Sequence, residues 1–488
     1  MEPSGVPVIQ RAPQGGSLLA KRPSQRLAAV VLAAGHGKRI KSRVPKVLQP
    51  LCGRPVLWHV LKAIKPVRAE TVFVVVRERG NEVEEAVGSW DLRLPLEFVT
   101  QPEPSGTGHA VMAAEHRLLD FEEVLVVNGD EPLVTGAQLR ELVSLRRRRK
   151  AAVAVQTTIP QDARGFARVI REGDELVRLA EGSDATAKEL ALTEVATGVY
   201  AFGREDLFRA LPLVTRDNRQ REYYLPDVLG ILREKGERLV VQLVDIGGAV
   251  GVNSRGELAR AAAVLRRRIN EELMEAGVSI LDPDQTYIDI GVRIGRDTTL
   301  LPQTILEGDV RIGQGCTIGP GTRISDSTIA DESIVEQSVV KGSVIGRGAS
   351  VGPFSHIRPD TVLGVEAKVG SFVEIKASRI GDGSKVPHLS YIGDATIGRN
   401  VNVGAGTVTV NYDGYEKYRT VIGDDARIGS DTMLIAPVRI GRGAVTGAGS
   451  VISKDVPAGA LAVERAEQRH VSGYRERKDR DKRPKGEA

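Results

Sequence analysis

Between Ile294 and Ile452 the chain repeats one aliphatic residue every six positions, and glycine often follows it, as in Ile312-Gly313. An α-helix has a period of about 3.6 residues and a strand one of about 2, so neither fits this spacing. A solenoid with strand-like faces fits it, because the aliphatic side chain points into each coil and glycine tolerates the turn. We therefore predict a parallel β-helix. Its inward-facing positions are Ile294, Leu300, Leu306, Ile312, Ile318, Ile324, Ile345, Val351, Ile357, Leu363, Val369, Ile375, Ile422, Ile428, Leu434, Ile440 and Ile452.

Two segments interrupt the repeat. In the first, Ala377–Asn400, the run Lys385–Tyr391 replaces regular repeats, and the second, Asn411–Tyr418, is long enough to form a protruding loop. Insertions in repeat proteins collect on one face, which is often the binding face. We therefore expect both segments to lie near a site.

The N-terminal half alternates short apolar runs with helical stretches, the pattern of a mostly parallel, Rossmann-like α/β sheet. The predicted strands are Leu27–Leu32, Val72–Val76, Val124–Val127 and Ala152–Gln156, and one helix is predicted over Arg255–Gly277. The expected divisions are an extension at 1–26, a nucleotide domain at 27–253, a helical linker at 254–277, and a repeat domain with a basic tail at 278–488.

Composition excludes several classes of protein. A net charge of +5 over 488 residues gives little reason to expect nucleic acid. Two isolated cysteines, Cys52 and Cys316, exclude a disulfide framework and a Cys-based zinc site. No apolar run approaches the ~20 residues of a membrane span, and residues 1–26 lack the apolar core of a secretory signal. We expect a cytoplasmic protein with a disordered N-terminal extension.

The segment Val30–Arg39 runs from an apolar strand through a glycine-containing loop towards a helix, an arrangement that lets backbone N–H groups approach phosphates. Lys46 adds a second cation after Arg39, and Asp130 follows Val124–Val127, where a parallel sheet carries a metal carboxylate. A structural turn and a helix cap would explain the loop and the aspartate equally well, taken singly. Together they favour a site for nucleotide phosphates.

The run Leu32-Ala33-Ala34-Gly35 with Arg39 and Lys46 resembles the signature of sugar-1-phosphate nucleotidylyltransferases. Joined to the repeat domain, nearly the whole chain from Ala28 to Arg465 is similar to the family of bifunctional N-acetylglucosamine-1-phosphate uridylyltransferases and glucosamine-1-phosphate N-acetyltransferases, whose β-helix is left-handed. The narrower matches are Gln101, Gly106–Ala110, Gly129-Asp130, Glu222–Tyr224 and Gly251–Asn253.

The resemblance implies Mg²⁺-dependent transfer of uridylyl from UTP to N-acetylglucosamine-1-phosphate, with release of pyrophosphate and no protein nucleophile. It implies Mg²⁺ on Asp130 and Asn253, and phosphate neutralisation by Lys46 and Arg39. The uridine and sugar positions it implies are Leu32, Ala33, Ala34, Gly35, Gln101, Gly106, Thr107, Ala167, Glu181 and Ala196.

Several residues depart from the family pattern, among them Lys38 in place of a threonine and Phe166 in place of a tyrosine. Asn128 stands where tyrosine is common, and Ser183 replaces a lysine. Ala167 and Ala196 replace a glycine and an asparagine near the sugar. We expect uridylyl transfer to survive, with altered sugar selectivity or Michaelis constant.

Histidine is the usual general base near neutral pH, and His388 lies at the first interruption of the repeat. A lone histidine in a repeat is more often a surface residue, but Arg358, Lys376 and Tyr391 fall near His388 in the repeat map and could clamp an anionic sugar phosphate. Glu374 is expected to orient His388.

The resemblance implies that His388 deprotonates the glucosamine amine, which attacks the thioester of acetyl-CoA, in a homotrimer whose neighbouring subunits share each site. The residues implied for glucosamine-1-phosphate are Arg358, Lys376, Tyr391 and Asn402, and those for acetyl-CoA are Ala405, Asn411, Tyr412, Ser430, Ala448 and Arg465.

Two other functions fit parts of the sequence. In one, the β-helix is only a trimerisation module of a nucleotidylyltransferase, which the intact His388 and Lys376 argue against. In the other, the chain is an acetyltransferase with a decayed N-terminal domain, which Lys46 and Asp130 oppose. The favoured product, UDP-N-acetylglucosamine, is a precursor of peptidoglycan and lipopolysaccharide.

Overall fold

The computed structural model describes residues 26–35, 37–78, 81–103, 105–160, 163, 166–172, 175–180, 185–245 and 251–481. They divide into two compact units, one up to Gln49 and over Pro55–Ala261, the other over Pro50–Arg54 and from Ala262 onward. The predicted extension lies outside the described residues except for Arg26. The predicted linker helix falls in both units, so the exact domain limits stay predictions.

The first unit is built on one sheet with strand order β9-β5-β8-β4-β1-β2-β3, and a β6–β7 hairpin branches from β8. All neighbours along this path are parallel except β8, which runs antiparallel to both β4 and β5. The strands are β1 Leu27–Leu32, β2 Thr71–Arg77, β3 Leu96–Gln101, β4 Glu123–Asn128, β5 Val153–Thr158, β6 Arg168–Glu172, β7 Glu175–Ala180, β8 Val195–Gly203 and β9 Leu239–Leu243.

Helices cover the sheet, and apolar side chains pack against each of its faces in two separate clusters. The four predicted strands are present within two residues of their predicted ends, β1 without any shift. The helices are α1 Val56–Ile64, α2 Asn81–Gly88, α3 Thr107–Ala113, α4 Gly136–Arg149, α5 Ala187–Leu190, α6 Arg204–Ala210 and α7 Asp227–Glu234. Short 3-10 turns lie at Lys38–Ile40, Lys46–Leu48, Lys65–Val67, Glu115–Arg117 and Leu211–Leu213.

Helix α8, Arg255–Glu275, ends just before Gly277, whose φ of 98° stops a helix as predicted. The second unit also holds the 3-10 turn Pro283–Gln285 and the exposed tail helix α9, Tyr474–Asp481. A two-stranded ribbon joins Pro50–Leu51 to Arg54–Pro55. No helix in the described ranges combines the length and apolarity needed to cross a bilayer.

The second unit is a stack of coils whose strands form three parallel sheets. The first sheet contains Ser279–Ile280, Thr299–Leu300, Thr317–Ile318, Ile334–Val335, Ser350–Val351, Lys368–Ser371, Lys385–His388, Asn402–Val403, Arg427–Ile428, Val445–Thr446 and Leu461–Ala462. The second contains Tyr287–Ile288, Ile305–Glu307, Arg323–Ser325, Val339–Lys341, His356–Ile357, Glu374–Lys376, Tyr391–Gly393, Val408–Val410, Met433–Ile435 and Val451–Ile452. The third contains Arg293–Ile294, Arg311–Ile312, Thr328–Ile329, Val344–Ile345, Val362–Leu363, Arg379–Ile380, Ala395–Ile397, Thr420–Ile422 and Val438–Ile440.

The predicted inward-facing aliphatic residues are buried, apart from Ile294 in the third sheet, which is partly exposed. Most of them sit opposite an aliphatic residue of the next coil, as Ile357 does opposite Ile375. The interior of the coil is therefore a column of stacked aliphatic side chains, which the six-residue period predicted.

The first predicted interruption is a change in the spacing of the repeat and not a loop. Coils continue through Ala377–Asn400, and Ile380, Val386, Ile392 and Ile397 fill the interior there. The spacing of inward-facing residues drops from six to five in some turns, and this shift of phase hides the repeat in the sequence. The second interruption is a loop as predicted, with Tyr415 at its tip 92% exposed.

Candidate functional sites

A cavity of about 570 Å³ opens at the carboxyl ends of β1 and β4. These strands are parallel neighbours with Leu32 opposite Asn128, so the loops that follow them meet at one edge of the sheet. A Cβ on Gly37, where φ is 58°, would lie 2.7 Å from Cβ of Lys46, so glycine lets the loop close on that lysine. The lining residues are Leu32, Ala34, Gly35, Gly37, Arg39, Lys46, Val47, Gln101, Gly106, Thr107, Ala110, Asn128, Asp130, Gln220, Glu222, Tyr224 and Asn253.

Two side-chain oxygens converge on one cation in this cavity. Lys46 Nζ donates a hydrogen bond of 2.9 Å to Asn253 Oδ1 and forms an ion pair with Asp130 Oδ2. The backbone N–H of Val252 donates to the Asp130 carbonyl at 2.8 Å and so holds the two chain segments together. The ammonium of Lys46 thus lies between Asp130 Oδ2 and Asn253 Oδ1, where both oxygens can contact one positive charge.

This donor set fits Mg²⁺, which takes oxygen ligands from one or two protein side chains and completes its shell with water and phosphate. Within the described ranges the chain has no cluster of three or more His, Cys, Asp or Glu side chains that could hold a metal. A divalent cation at Asp130 and Asn253 would therefore be shared between the protein and a phosphate ligand.

A second cavity of about 170 Å³ shares Thr107, Asn128, Asp130 and Asn253 with the first. Ala167 and Ala196, the residues predicted at the sugar, both line it. The two cavities meet at the oxygen pair, the arrangement expected if a phosphate group lies between a nucleoside and a sugar. The other lining residues are Glu131, Phe166, Thr197, Gly198, Tyr200, Leu225, Pro226 and Gly251.

Among the predicted residues that the structure describes, Ala33 lines neither cavity. Ala33 packs in the core, 6% exposed, and its backbone N–H donates to the Val75 carbonyl at 2.9 Å. Glu181 lies outside the described residues, as does Ser183. The remaining predicted nucleotide and sugar residues all line one cavity or the other.

Glu131 is a residue of the small cavity that the sequence analysis missed. It is 7% exposed, and Asn128 Nδ2 donates a hydrogen bond of 2.9 Å to its Oε1. Burial, and then the neighbouring charge of Asp130, raise the pKa of this carboxyl well above its usual range. The available signal was an acidic residue directly after the predicted metal ligand, between Asp130 and Pro132.

In the second unit, charged side chains gather on the outer face of the second sheet. Arg358 Nη1 donates to Glu374 Oε1 at 2.7 Å, and Lys376 Nζ lies 3.9 Å from Asp394 Oδ2. Asn411 Nδ2 also donates to Asp394, which ties the exposed loop to this cluster. The predicted phosphate-binding cations thus occupy one face and are held in place by carboxylates.

Glu374 was expected to orient His388, and this stays a prediction, since the observed partner of Glu374 is Arg358. Glu374 lies in the second sheet and binds Arg358, whereas His388 ends a strand of the first sheet. Glu374 stands in register with His356 and Tyr391 instead. Burial lowers the pKa of His356, partly against the charge of Glu374.

His388 is exposed and lies at one corner of the coils. There, a series of hydrogen bonds connects each coil to the next, and we call this series the corner ladder. The carbonyl of His388 accepts from Gly406 at 3.3 Å, and Asn402 lies on the next strand of the same sheet. The predicted acetyl-CoA residues Ala405, Ser430, Ala448 and Arg465 follow coil by coil. The linking hydrogen bonds run from Asp431 N to Ala405 O at 2.6 Å, from Gly449 N to Ser430 O at 2.9 Å and from Arg465 Nη1 to Ala448 O at 3.1 Å.

Three family models match the chain. A MobA-like NTP transferase domain matches residues 29–225, a GMPPB C-terminal domain matches 284–372, and six repeats of the bacterial transferase hexapeptide match 419–454. These matches agree with a nucleotidyltransferase sheet followed by a hexapeptide β-helix of the left-handed type.

Several relatives named "Bifunctional protein GlmU" match almost the entire chain. The protein of Desulfitobacterium hafniense is 44% identical over 92% of this chain and 98% of its own. Those of Syntrophomonas wolfei and Heliobacterium modesticaldum are each 46% identical, over 91% and 92% of this chain and 99% and 98% of theirs. A Bacillus anthracis protein solved with a sucrose matches 49% of this chain and 94% of its own, at 18% identity and a TM-score of 0.43.

Proposed function

The chain belongs to the family of the bifunctional protein GlmU, and from this membership we propose how its two units divide the work. It is a bifunctional enzyme of UDP-N-acetylglucosamine synthesis, a nucleotidyltransferase and an N-acetyltransferase. The first unit transfers uridylyl from UTP to N-acetylglucosamine-1-phosphate. The second transfers acetyl from acetyl-CoA to glucosamine-1-phosphate and so makes the substrate of the first.

One observation carries the uridylyl assignment. The oxygens of Asp130 and Asn253 meet the ammonium of Lys46 where the two cavities join. A phosphorus between a nucleoside in the larger cavity and a sugar in the smaller would lie beside these groups. Charge neutralisation and alignment are what phosphoryl transfer needs from a protein.

For uridylyl transfer, a phosphate oxygen of the sugar substrate attacks the α-phosphorus of UTP and the bond to pyrophosphate breaks. Lys46 and Arg39 would neutralise the triphosphate, and Gln101, Gly106 and Thr107 would position the uridine. When bound at Asp130 and Asn253, Mg²⁺ supplies further positive charge to the phosphate oxygens.

For acetyl transfer, the glucosamine nitrogen attacks the thioester carbonyl, the C–S bond breaks and the thiol of coenzyme A leaves. His388 would accept the amine proton on an imidazole nitrogen. Arg358, Lys376, Tyr391 and Asn402 would bind the sugar phosphate. Acetyl-CoA would follow the corner ladder from His388, along Ala405, Ser430, Ala448 and Arg465, with Asn411 and Tyr412 of the exposed loop beside it.

We further propose a cytoplasmic homotrimer that binds no nucleic acid. The exposure of His388 and of the Asn411–Tyr418 loop supports a site completed by a neighbouring copy of the chain. A β-helix that served only to assemble the protein would have no need of the charged cluster around Arg358 and Lys376, so that alternative is not favoured.

The test is a pair of assays on the purified chain. Acetyl-CoA with glucosamine-1-phosphate is followed as free thiol, and UTP with N-acetylglucosamine-1-phosphate is followed as pyrophosphate. We expect both signals, and we expect a chelator of divalent metal to remove only the pyrophosphate. Thiol without pyrophosphate at any Mg²⁺ concentration would contradict the proposed role of the first unit.

A further inference from the structure

We propose that Glu131, held in place by Asn128, determines sugar specificity at the uridylyl-transfer site. This proposal rests on the proposed function of the first unit. Its starting point is that the small cavity is lined by a buried carboxyl group that neither the sheet nor the phosphate cluster uses.

The contacts of Glu131 leave one oxygen free for a ligand. Oε1 accepts the 2.9 Å hydrogen bond from Asn128, which fixes the orientation of the carboxyl. Among the residues that the structure describes, none donates a hydrogen bond to Oε2. Oε2 is accessible from the cavity that Glu131 lines, so a sugar hydroxyl or amide N–H entering the cavity could donate a hydrogen bond to it.

Gly198 provides a second, independent observation. Its φ is 88°, and a Cβ there would lie 1.9 Å from Asn128 Nδ2 and 2.4 Å from Glu131 Oε1. Strand β8 therefore has a glycine at the point where any side chain would displace the pair. The backbone makes room for Asn128 and Glu131 in one arrangement.

Four other residues that line the cavity offer a sugar hydroxyl either no polar side-chain atom or one that already makes a hydrogen bond. Ala167 and Ala196 present only methyl groups and backbone. The hydroxyl of Thr197 bonds to Gln156 Oε1 at 3.2 Å, and that of Thr107 accepts from Leu225 N at 3.0 Å. Glu131 thus adds a side-chain acceptor to those of Asn128, Asp130 and Asn253 in the same cavity, and a site that hydrogen-bonds a substrate group rejects analogues lacking that group.

The experiment compares the full-length wild type with Glu131→Gln. Glutamine keeps the shape and can still accept from Asn128, but it places an NH₂ donor where Oε2 was. Kinetic constants for pyrophosphate release are measured with the 1-phosphates of N-acetylglucosamine, N-acetylgalactosamine and glucose, together with KM for UTP and the Mg²⁺ concentration for half-maximal rate. The control is Glu97→Gln, because Glu97 is an exposed residue of the same unit paired with Arg117 at 3.8 Å.

We expect Glu131→Gln to raise KM for N-acetylglucosamine-1-phosphate about 10- to 100-fold and to change its preference over the other two sugars. KM for UTP, the Mg²⁺ requirement, acetyl transfer and the Glu97→Gln control should stay at wild-type values. An unchanged sugar KM and preference, or a change in the Mg²⁺ requirement alone, would overturn the proposal. A wild type that releases no pyrophosphate with any of these sugars would overturn the proposed function as well.

Discussion

Lys46 Nζ and Asn253 Oδ1 are joined by a hydrogen bond of 2.9 Å across 207 residues of sequence. The same ammonium is paired with Asp130, and both side chains of that pair are nearly buried. Removing one partner of such a cluster leaves a buried charge without compensation. The effect of substituting any one of the three residues therefore depends on the other two. This coupling makes them the most informative positions for testing the first site.

Asp130→Asn keeps the shape of the side chain and removes its charge. We expect uridylyl transfer to fall by about 100-fold or more, and the Mg²⁺ concentration for half-maximal rate to rise, because a carboxylate ligand is lost. The measurement is a Mg²⁺ titration of pyrophosphate release, with acetyl transfer as the control for folding. An unchanged titration midpoint would exclude Asp130 as a ligand of the cation.

His388→Ala should separate the two activities in the opposite sense. Loss of a general base lowers the rate by about 10²- to 10⁴-fold, so thiol release should nearly vanish. Pyrophosphate release should be unaffected, since His388 and the nucleotide cavities belong to different units. If both activities fell together in a folded protein, the assignment of two independent sites would be wrong.

The sequence predicted those features that are set by one residue and its local period. The aliphatic column follows from the inward position of each coil, and Lys46 and Asp130 follow from their places after short strands. Contacts set by the pairing of distant residues could not be read in this way. Arg358 meets Glu374 only because successive coils stack in register, and Glu131 becomes a lining residue only where β8 provides Gly198.

Gly370→Ala tests how strictly stacking of the coils positions His388. A Cβ on Gly370 would lie 1.9 Å from the carbonyl oxygen of Pro387, so the strand that ends at His388 must move. A misplacement of about 1 Å can cost about 100-fold in rate, so we expect a large loss of acetyl transfer with uridylyl transfer intact. The control is Gly443→Asn, at a φ of 63° with no neighbouring atom within 4 Å. Equal activity of the two variants would contradict the argument.

The carboxyl group of Asp289 should make the thermal stability of the second unit depend on pH. Burial raises the pKa of this carboxyl, and the backbone N–H of Gly308 offsets this only in part. A carboxyl whose pKa is higher in the folded than in the unfolded protein stabilises the fold when it is protonated. This stabilisation is complete at pH values below the unfolded pKa of about 3.9, and it is lost as pH rises through the folded pKa. Asp289→Asn should therefore raise Tm at pH 7 more than at pH 4. A gain that is the same at both pH values would contradict this reading.

The reactivity of the Cys52 thiol provides a second test of the charge on Asp289. Burial, followed by the charge of Asp289, raises the pKa of this thiol to about 11, and Cys52 Sγ lies 3.8 Å from the Ala262 carbonyl. Since the thiolate is the nucleophile, alkylation of native Cys52 should be slow at pH 8 and rise about tenfold per pH unit towards pH 10. Asp289→Asn should accelerate it by removing a neighbouring charge. The measurement is the rate of iodoacetamide labelling by peptide mass spectrometry, with urea-unfolded protein as the reference. Labelling at the unfolded rate in the native protein would refute the raised pKa.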